Sequence, residues 1–533
     1  MSIPNPVPAS VQAEATARGS LTVSIWTLVS RFTGMLRVLV IGALLGATYL
    51  ANVFQAGYLL PNTVFALVAG PVLGMAVVPA VARGVVRGGA ERATEVLGRI
   101  AGRLLSLAAL GTLAMAVLAP ALAWTLVFAV PEPFRVRAWL MCTVLLLFVA
   151  PQVLLYTVVE LGVAAQQGRH RFALAAGAPA VESLGTILTL AVGAWIYGVG
   201  VEVGQARLSM MVLLGAGTTG SVVVHALLQC YGAARAGVPI RPRRGWRADE
   251  EAAGTLRRMV RSIPVAGGPA VVDYGLTVIA ATVPGGVLVV QVSYQVYAAL
   301  SFVGSRAVSM AALPWLSEAV TADDPRRFAV AWRQGVFYAL AAGIPLMLLL
   351  MVFAGPTANL LANGTIQNSP LVPALAHCLT VAAVAQLANG VHDYSRQALF
   401  ARLDDRGPSR ASLVGVAASV LVTVATLALP AGGPRLVGLV VALLAGELAS
   451  AVYALARVRR AVRPERMLDW RHMLTLVCAS VVMLPVLGAG WWVERAVEVS
   501  RPVELTLLVG LGLAALAPYA GVLLRGRGQW RVG

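Results

Sequence analysis

The sequence contains no lysine, and charged residues make up only 12% of its 533 positions. A soluble domain carries about 25% charged residues and is about 45–50% apolar, whereas the hydrophobic fraction here is 59%. The four cysteines lie singly inside apolar runs at Cys142, Cys230, Cys378 and Cys478. This spacing predicts neither a disulfide framework nor a metal site, and no cofactor is expected.

Long apolar runs recur along the chain from Leu21, and several reach the 18 or more residues that cross a hydrocarbon core of about 30 Å. The runs lack the alternation of barrel strands, and open strands in lipid would leave backbone groups unpaired. We therefore predict an all-α, polytopic membrane protein with about 14 transmembrane helices. The first 20 residues lack the basic segment of a cleavable signal, so the first helix is expected to remain in the mature protein.

Arginine supplies all 41 basic residues and gives the chain a net charge of +18. With fourteen spans, 30 arginines fall on one set of alternating connections and six on the other. Cytoplasmic loops retain arginine, so both termini are predicted to be cytoplasmic. The charge is then explained by topology and by attraction to anionic membrane lipids, and nucleic-acid binding is not expected.

The connections are too short for a soluble catalytic domain of about 100 residues. The longest joins two halves of six spans each, and two further spans follow. Predicted regions are a disordered tail (1–20), an N-lobe (21–234), a basic linker (235–259), a C-lobe (260–458), a basic loop (459–471), a C-terminal helix pair forming a lipid-tail groove (472–524) and a tail (525–533).

Charged residues inside spans are costly and are functional candidates by default. Arg31 and Arg37 lie six residues apart in the first span, about 120° apart around a helix, with Gly34 between them. Two guanidinium groups in a low-dielectric site are suited to binding a diphosphate. The alternatives are snorkelling of the arginines to the membrane interface and structural pairing with Asp273 or Glu182.

The remaining intramembrane charges are interpreted as pairing or coupling candidates. Asp393 and Arg396 are three residues apart and are expected to pair on one helix. Glu160 and Glu447 are candidates for binding a coupling cation, whose identity the sequence leaves open. Arg306 is a further arginine within a span.

The segment SRFTGMLRVLVIGALLGATYLANVFQAGYLLPN resembles the opening signature of the MurJ (MviN) lipid II flippase family. The stretches QQGRHRFALAAGAP, ALPWLSEAVTADDPRRF and ANGVHDYSRQALFARLDDRGPSR are similar to later turns of that family. The likeness covers about residues 20 to 430. It implies two six-helix lobes around a central cationic cavity, plus two C-terminal helices, in the fold of the multidrug/oligosaccharidyl-lipid/polysaccharide exporters.

The resemblance implies that Arg31 and Arg37 face the diphosphate of a lipid-linked precursor. It also places Asn52 and Asn62 at signature positions, although the family's acidic residue stands where Asn52 is here. The family arginine of the eighth span falls near Gln295, and Arg306 could partly replace that charge. The predicted substrate contacts are therefore Arg31, Gly34, Arg37, Asn52, Asn62, Gln295 and Arg306.

The leading hypothesis is a bacterial inner-membrane flippase that moves a polyprenyl-diphosphate-linked cell-wall precursor outward by alternating access. Its partners would be the lipid-linked precursor, anionic lipids and possible cell-wall synthesis proteins. The rival interpretations are a cation-coupled multidrug-type exporter of the same fold and a non-transporting membrane scaffold. A membrane glycosyltransferase would need carboxylates or a histidine on a large outward loop, which the chain lacks.

Overall fold

A computed structural model describes residues 9–68, 72–367, 369–402, 404, 406–462, 469–496 and 500–526. Side chains are described for these residues except at 9–24, 68, 72–75, 258–259, 261–266, 306–307, 310–314, 365 and 526. Across this part of the chain the regular secondary structure consists of seventeen α-helices and a few short helical turns, without strands. The all-α prediction is confirmed.

The chain divides into two compact units, Met1–Tyr274 and Gly275–Gly533, which we call the N-unit and the C-unit. The helices that begin in the N-unit are α1 Ala9–Leu45, α2 Tyr49–Val68, α3 Val72–Val127, α4 Glu132–Val149, α5 Gln152–Gln167, α6 Ala173–Tyr197, α7 Leu208–Arg235 and α8 Glu250–Ala280. The first helix begins inside the stretch predicted as a tail, and residues 1–8 lie outside the described residues.

The helices of the C-unit follow in chain order after α8. They are α9 Gly286–Ser301, α10 Ala307–Thr321, α11 Pro325–Val352, α12 Ala354–Leu361, α13 Leu371–Ala401, α14 Arg406–Ala425, α15 Gly433–Val462, α16 Trp470–Ala496 and α17 Arg501–Gly526. A π-helical turn, Phe302–Arg306, joins α9 to α10. The predicted limits of the lobes, loops and tails stay predictions.

Helix α3 is two helices joined at a break. Gly88 and Gly89 have non-helical backbone angles, and Gly89 has a φ of +67°, which a residue with a Cβ rarely adopts. Among the described residues, twelve helical segments are long and apolar enough to cross a membrane, and one of them runs from Ala76 to Val127. The break divides this segment into two crossings, and α2 is counted together with the first of them. Helix α8, which is more charged, adds one more crossing. The total is then the fourteen crossings that the arginines predict.

Small residues let the N-unit helices approach closely, as is usual where lipid supplies no hydrophobic driving force. Helix α6 packs on α1 and α7, and α5 packs on α3 and α7. A Cβ on Gly162 would lie 2.7 Å from Cβ of Gln229, and one on Gly57 would lie 2.7 Å from a methyl group of Leu145. Gly162 thereby lets α5 and α7 approach closely enough for Gln166 and Gln229 to form a hydrogen bond.

Residues 238–249, which we call the arginine strap, connect α7 to α8 and run across α3. The backbone N–H of Arg243 donates to the carbonyl of Gly98 at 2.8 Å. A Cβ on Gly98 or Gly102 would overlap the strap's carbonyl groups at Arg241 and Arg243. The two glycines, four residues apart on one face of α3, thus form the groove in which the strap lies.

Ion pairs fix the end of the strap to α3. Asp249 is buried, caps α8 by accepting from the backbone N–H of Ala252 at 3.0 Å, and lies 2.8 Å from Arg92. Two residues later, Glu251 contacts Arg83 at 2.6 Å and Arg87 at 3.0 Å. Arg99 lies 3.8 Å from Asp249 as well, so four arginines of α3 pair with two carboxylates at the junction of the strap and α8.

In the C-unit, α13 packs against α9, α11 and α15, and α14 packs against α15. Trp332 and Phe328 of α11 and Tyr394 of α13 are the largest side chains of its buried core. The last two helices pair with each other and rest on α11, where Tyr519 donates to the carbonyl of Ala341 at 2.9 Å. The predicted lipid-tail groove of these two helices stays a prediction.

Candidate substrate-binding site

Arg37 is held between three helices of the N-unit. Its Nη1 donates to Tyr58 Oη of α2 at 2.6 Å and to Ser183 Oγ of α6 at 3.4 Å. The guanidinium carbon also lies 4.7 Å from the centroid of the Tyr58 ring, a cation–π contact. The buried Nε–H of Arg37 has no hydrogen-bond partner among the described residues. Arg37 is thus fixed in position while one of its donors stays available.

Glu182 of α6 is the acceptor at the centre of this network. Its Oε1 accepts from Tyr58 Oη at 3.1 Å and from Tyr156 Oη of α5 at 3.0 Å. Its Oε2 lies 2.8 Å from Nδ1 of His225 on α7. The glutamate is only 7% exposed. A buried carboxylate is stable only when it is hydrogen-bonded, and these three contacts supply the hydrogen bonds. The predicted pairing of Arg37 with Glu182 therefore runs through the hydroxyl of Tyr58.

The network continues from His225 along α7 and α5. Gln229 Nε2 lies 3.4 Å from His225 Nε2, and Gln229 Oε1 accepts from Gln166 Nε2 at 2.6 Å. Both glutamine side chains are buried, at 0% and 2% exposure. Five helices thus contribute to one polar chain that begins at Arg37.

The other predicted contacts of the N-unit lie around this chain in different environments. Arg31 is half-buried on α1, and a Cβ added to Gly34 would meet no atom within 4 Å. Asn52 of α2 is buried, and Asn62 is exposed. Open space therefore adjoins α1 between the two arginines, on the helix that carries Arg37.

Two further carboxylates predicted as site residues, Glu160 and Asp273, lie outside the polar chain that runs from Arg37 to Gln166. Glu160 is half-buried on α5, one turn after Tyr156. Asp273 of α8 is exposed. Their proposed coupling or pairing roles stay predictions.

The C-unit contains a second glutamate with tyrosine and histidine partners, Glu447, which is half-buried. Tyr297 Oη of α9 donates to Glu447 Oε1 of α15 at 2.7 Å, and His392 Nδ1 of α13 lies 3.0 Å from Oε2. On α13, Asp393 forms an ion pair with Arg396. Gln295 is half-buried on α9. The backbone of Arg306 belongs to the π-helical turn, and its side chain lies outside the described residues.

The sequence reasoning missed the aromatic and histidine partners of both glutamates. Tyr58 begins the stretch YLLPN, and a similarly placed stretch of the second half, YQVYAAL, begins at Tyr294, three residues before Tyr297. This weak similarity indicates an aromatic residue at a similar place in both helices but does not single out Tyr297. His225 and Tyr156 had no such signal, because each lies alone in an apolar helix.

Comparison with known proteins identifies the family. A sequence profile described as lipid II flippase MurJ matches residues 41–509, most of the chain. The chain belongs to the MurJ lipid II flippase family. Membership agrees with the resemblance in the opening segment and extends it to the last helices.

Solved structures show the same fold. A structure described as lipid II flippase MurJ in an inward closed conformation is 14% identical over 95% of this chain and 99% of its own, with a TM-score of 0.73. An inward-facing multidrug resistance MATE family transporter of the MOP superfamily is 15% identical, covering 82% of this chain and 94% of its own, with a TM-score of 0.60.

A MOP superfamily transporter from Pyrococcus furiosus, described as having a binding pocket of reverse polarity, is 16% identical. The alignment covers 84% of this chain and 95% of that one, with a TM-score of 0.55. At these identities the likeness concerns the fold. The chain is a multi-pass membrane protein with the architecture shared by these transporters.

Proposed function

We propose that this protein moves a polyprenyl-diphosphate-linked cell-wall precursor, similar to lipid II, from the inner to the outer leaflet by alternating access. Family membership supports the class of cargo. The single observation that carries the proposal is Arg37, whose buried Nε–H lacks a hydrogen-bond partner among the described residues while its other contacts hold the guanidinium in place. A diphosphate oxygen supplies the acceptor that this donor requires.

Space beside the arginine supports the same proposal. Gly34 leaves open room on the helix that carries Arg31 and Arg37. A charged head group must not cross hydrocarbon unshielded, because a bare ion in the bilayer is costly. Arg31 and Arg37 would bind the diphosphate, with Asn52 and Asn62 as further candidate contacts in the N-unit. The polyprenyl chain would stay in lipid, and transport, rather than a chemical reaction, is the activity.

The multidrug-type alternative has less support in the described residues. A cation-coupled exporter of cationic drugs needs free carboxylates in its binding site, whereas the oxygens of Glu182 and Glu447 already accept from tyrosine and face histidine. The proposed location is the bacterial inner membrane, with both termini cytoplasmic. Cell-wall synthesis proteins as partners stay a prediction.

Reconstitution tests the proposed function directly. Purified protein in liposomes containing fluorescent lipid II should make inner-leaflet precursor accessible to an external, membrane-impermeant quencher within minutes, while empty liposomes should not. The same liposomes with fluorescent phosphatidylcholine control for unspecific scrambling. If lipid II stays protected, or if both lipids cross equally fast, the assignment as a precursor flippase is wrong.

Anionic membrane lipids are the second proposed partner, and the arginine strap is the proposed contact. Four exposed arginines, Arg241, Arg243, Arg244 and Arg247, follow one another on the strap. Trp246 lies between Arg247 and Arg103 of α3, at 5.1 Å and 5.9 Å from the two guanidinium carbons. Clustered arginines next to a membrane helix attract anionic lipid by about 1 kcal/mol each. Because α3 holds the strap, this basic surface is already formed without lipid.

Neutralising the strap should weaken anionic-lipid binding. Changing its four arginines to glutamine should lower the apparent affinity for phosphatidylglycerol at least about tenfold, measured as the lipid-dependent rise in the midpoint of thermal unfolding in neutral detergent. The matched control changes four exposed arginines elsewhere, Arg326, Arg327, Arg459 and Arg460. An equal loss in both variants would show that total charge, and not the strap, determines lipid binding.

A further inference from the structure

The hydrogen bonds around His225 determine which of its nitrogens carries a proton. Gln166 Nε2 donates to the carbonyl of Gly162 at 3.1 Å and to Gln229 Oε1 at 2.6 Å, which fixes the orientation of the Gln229 amide. Gln229 Nε2 then faces the carbonyl of Ala175 and Nε2 of His225, both at 3.4 Å. An amide nitrogen only donates, so His225 Nε2 must accept. The proton of a neutral imidazole therefore sits on Nδ1 and is donated to Glu182.

With Nδ1–H of His225 as a donor, three donors converge on the two oxygens of Glu182, which therefore only accept, as in an ionised carboxylate; its charge is balanced by Arg37. The groups that face it from the packed helices are Arg37 of α1, Tyr58 of α2, Tyr156 of α5 and His225 of α7, and Glu160 of α5 faces His225. Of these, Arg37 is the fixed positive charge, and its link to the carboxylate is the hydroxyl of Tyr58. A ligand anion on Arg37 would therefore approach Glu182 from the same side.

We propose that the Glu182–His225 pair binds a proton when a diphosphate head group binds Arg37. The inference rests on the proposed function and names the ion linked to it. An added anion on Arg37 removes the charge balance of Glu182, because electrostatic interactions between buried groups are weakly screened. A proton from water restores it, and no other bond is broken.

The geometry indicates where this proton goes. His225 Nε2 faces the amide nitrogen of Gln229, so a proton there would set two donors against each other. The proton is instead added to Glu182 Oε1, which then donates to Tyr58 Oη. The hydroxyl hydrogen of Tyr58, no longer donated to Glu182, turns to the head group. Arg37 and Tyr58 thereby bind the anion together, and head group and proton favour each other's binding.

Isothermal titration calorimetry of the full-length protein in neutral detergent tests this linkage. Farnesyl diphosphate is titrated near pH 7 in two buffers that differ in ionisation enthalpy, once with sodium and once with choline as the salt. Wild type should take up about one proton for each ligand bound, independently of sodium. Glu182→Gln should bind the ligand with uptake near zero, and Glu318→Gln, which removes an exposed carboxylate, should behave as wild type.

The outcomes separate this inference from the proposed function. Binding by wild type without proton uptake, or uptake that persists in Glu182→Gln, overturns the inference and leaves the flippase proposal intact. Ligand binding that requires sodium, with a binding enthalpy that does not depend on the buffer, also overturns the inference. In that case a metal cation, and not a proton, is linked to ligand binding. If wild type does not bind farnesyl diphosphate at all, the proposed function fails as well. If Glu182→Gln does not fold, the wild-type titration and the variant Tyr58→Phe test the inference instead. Tyr58→Phe should then take up less than one proton for each ligand bound.

Discussion

Replacing Arg37 with alanine should lower the rate of lipid II flipping by about 100-fold. Loss of a charged, buried hydrogen-bonding partner costs about 3 kcal/mol, and 1.4 kcal/mol corresponds to a factor of ten. Arg37→Lys should recover only part of the activity, because lysine keeps the positive charge but lacks the planar set of donors of a guanidinium group. The measurement is quencher accessibility of fluorescent lipid II in liposomes, compared with Arg207→Ala, which removes an exposed arginine.

A second variant separates substrate binding from structural pairing at Arg37. Arg37→Ala leaves Glu182 without the guanidinium that balances it, and an uncompensated buried charge is destabilising. Adding Glu182→Gln removes that penalty, so the double variant should recover thermal stability and still fail to flip lipid II. If the double variant regains both stability and flipping, Arg37 is structural, and the anion site must lie elsewhere.

Replacing Gly335 with alanine should destabilise the C-unit by about 3 kcal/mol, a large cost for one methyl group. A Cβ at this position of α11 would overlap the ring of Tyr394 on α13. Tyr394 is fully buried, and its hydroxyl donates to the carbonyl of Ala331 at 3.0 Å, so the ring has nowhere to move. The midpoint of thermal unfolding in detergent should fall by several degrees.

The control and the rescue for Gly335 use other positions of the C-unit. A Cβ on Gly521 of α17 meets no atom within 4 Å, so Gly521→Ala should not lower stability. Adding Tyr394→Leu to Gly335→Ala removes the clashing ring, and the two losses should therefore be less than additive. Fully additive losses would mean that Gly335 and Tyr394 do not meet in solution.

The number of helices was accessible from the sequence because arginine marks alternate connections. If one span had been missed, every later connection would have been assigned to the opposite side of the membrane, and the arginines would no longer fall mainly on one side. The break within α3 was accessible in the same way, because the arginines from Arg83 to Arg103 mark a connection there. The π-helical turn Phe302–Arg306 was not accessible, because α9, this turn and α10 follow one another without an intervening loop. The pairing of Asp393 with Arg396 is the easier case, because residues three apart on one helix are neighbours before any packing occurs.

The candidate site could be predicted only where its residues are unusual for a membrane helix. Arg37 and Glu182 are conspicuous because charge inside a span is costly. Their connection through Tyr58 depends on α2 and α6 lying beside α1, which is long-range packing that no spacing along the chain encodes. The orientation of His225 depends in turn on Gln166 and Gln229, two uncharged residues that hydropathy does not single out.

The docking of the arginine strap has a consequence for the order of events during synthesis. Arg83 and Arg87 emerge from the ribosome well before their partner Glu251. During that interval they lack this carboxylate, and uncompensated arginine favours retention of the loop on the side of synthesis. Only when the start of α8 is made can Glu251 pair with them and the strap settle on Gly98. The same arginines would thus first orient the nascent helices and afterwards complete the folded N-unit.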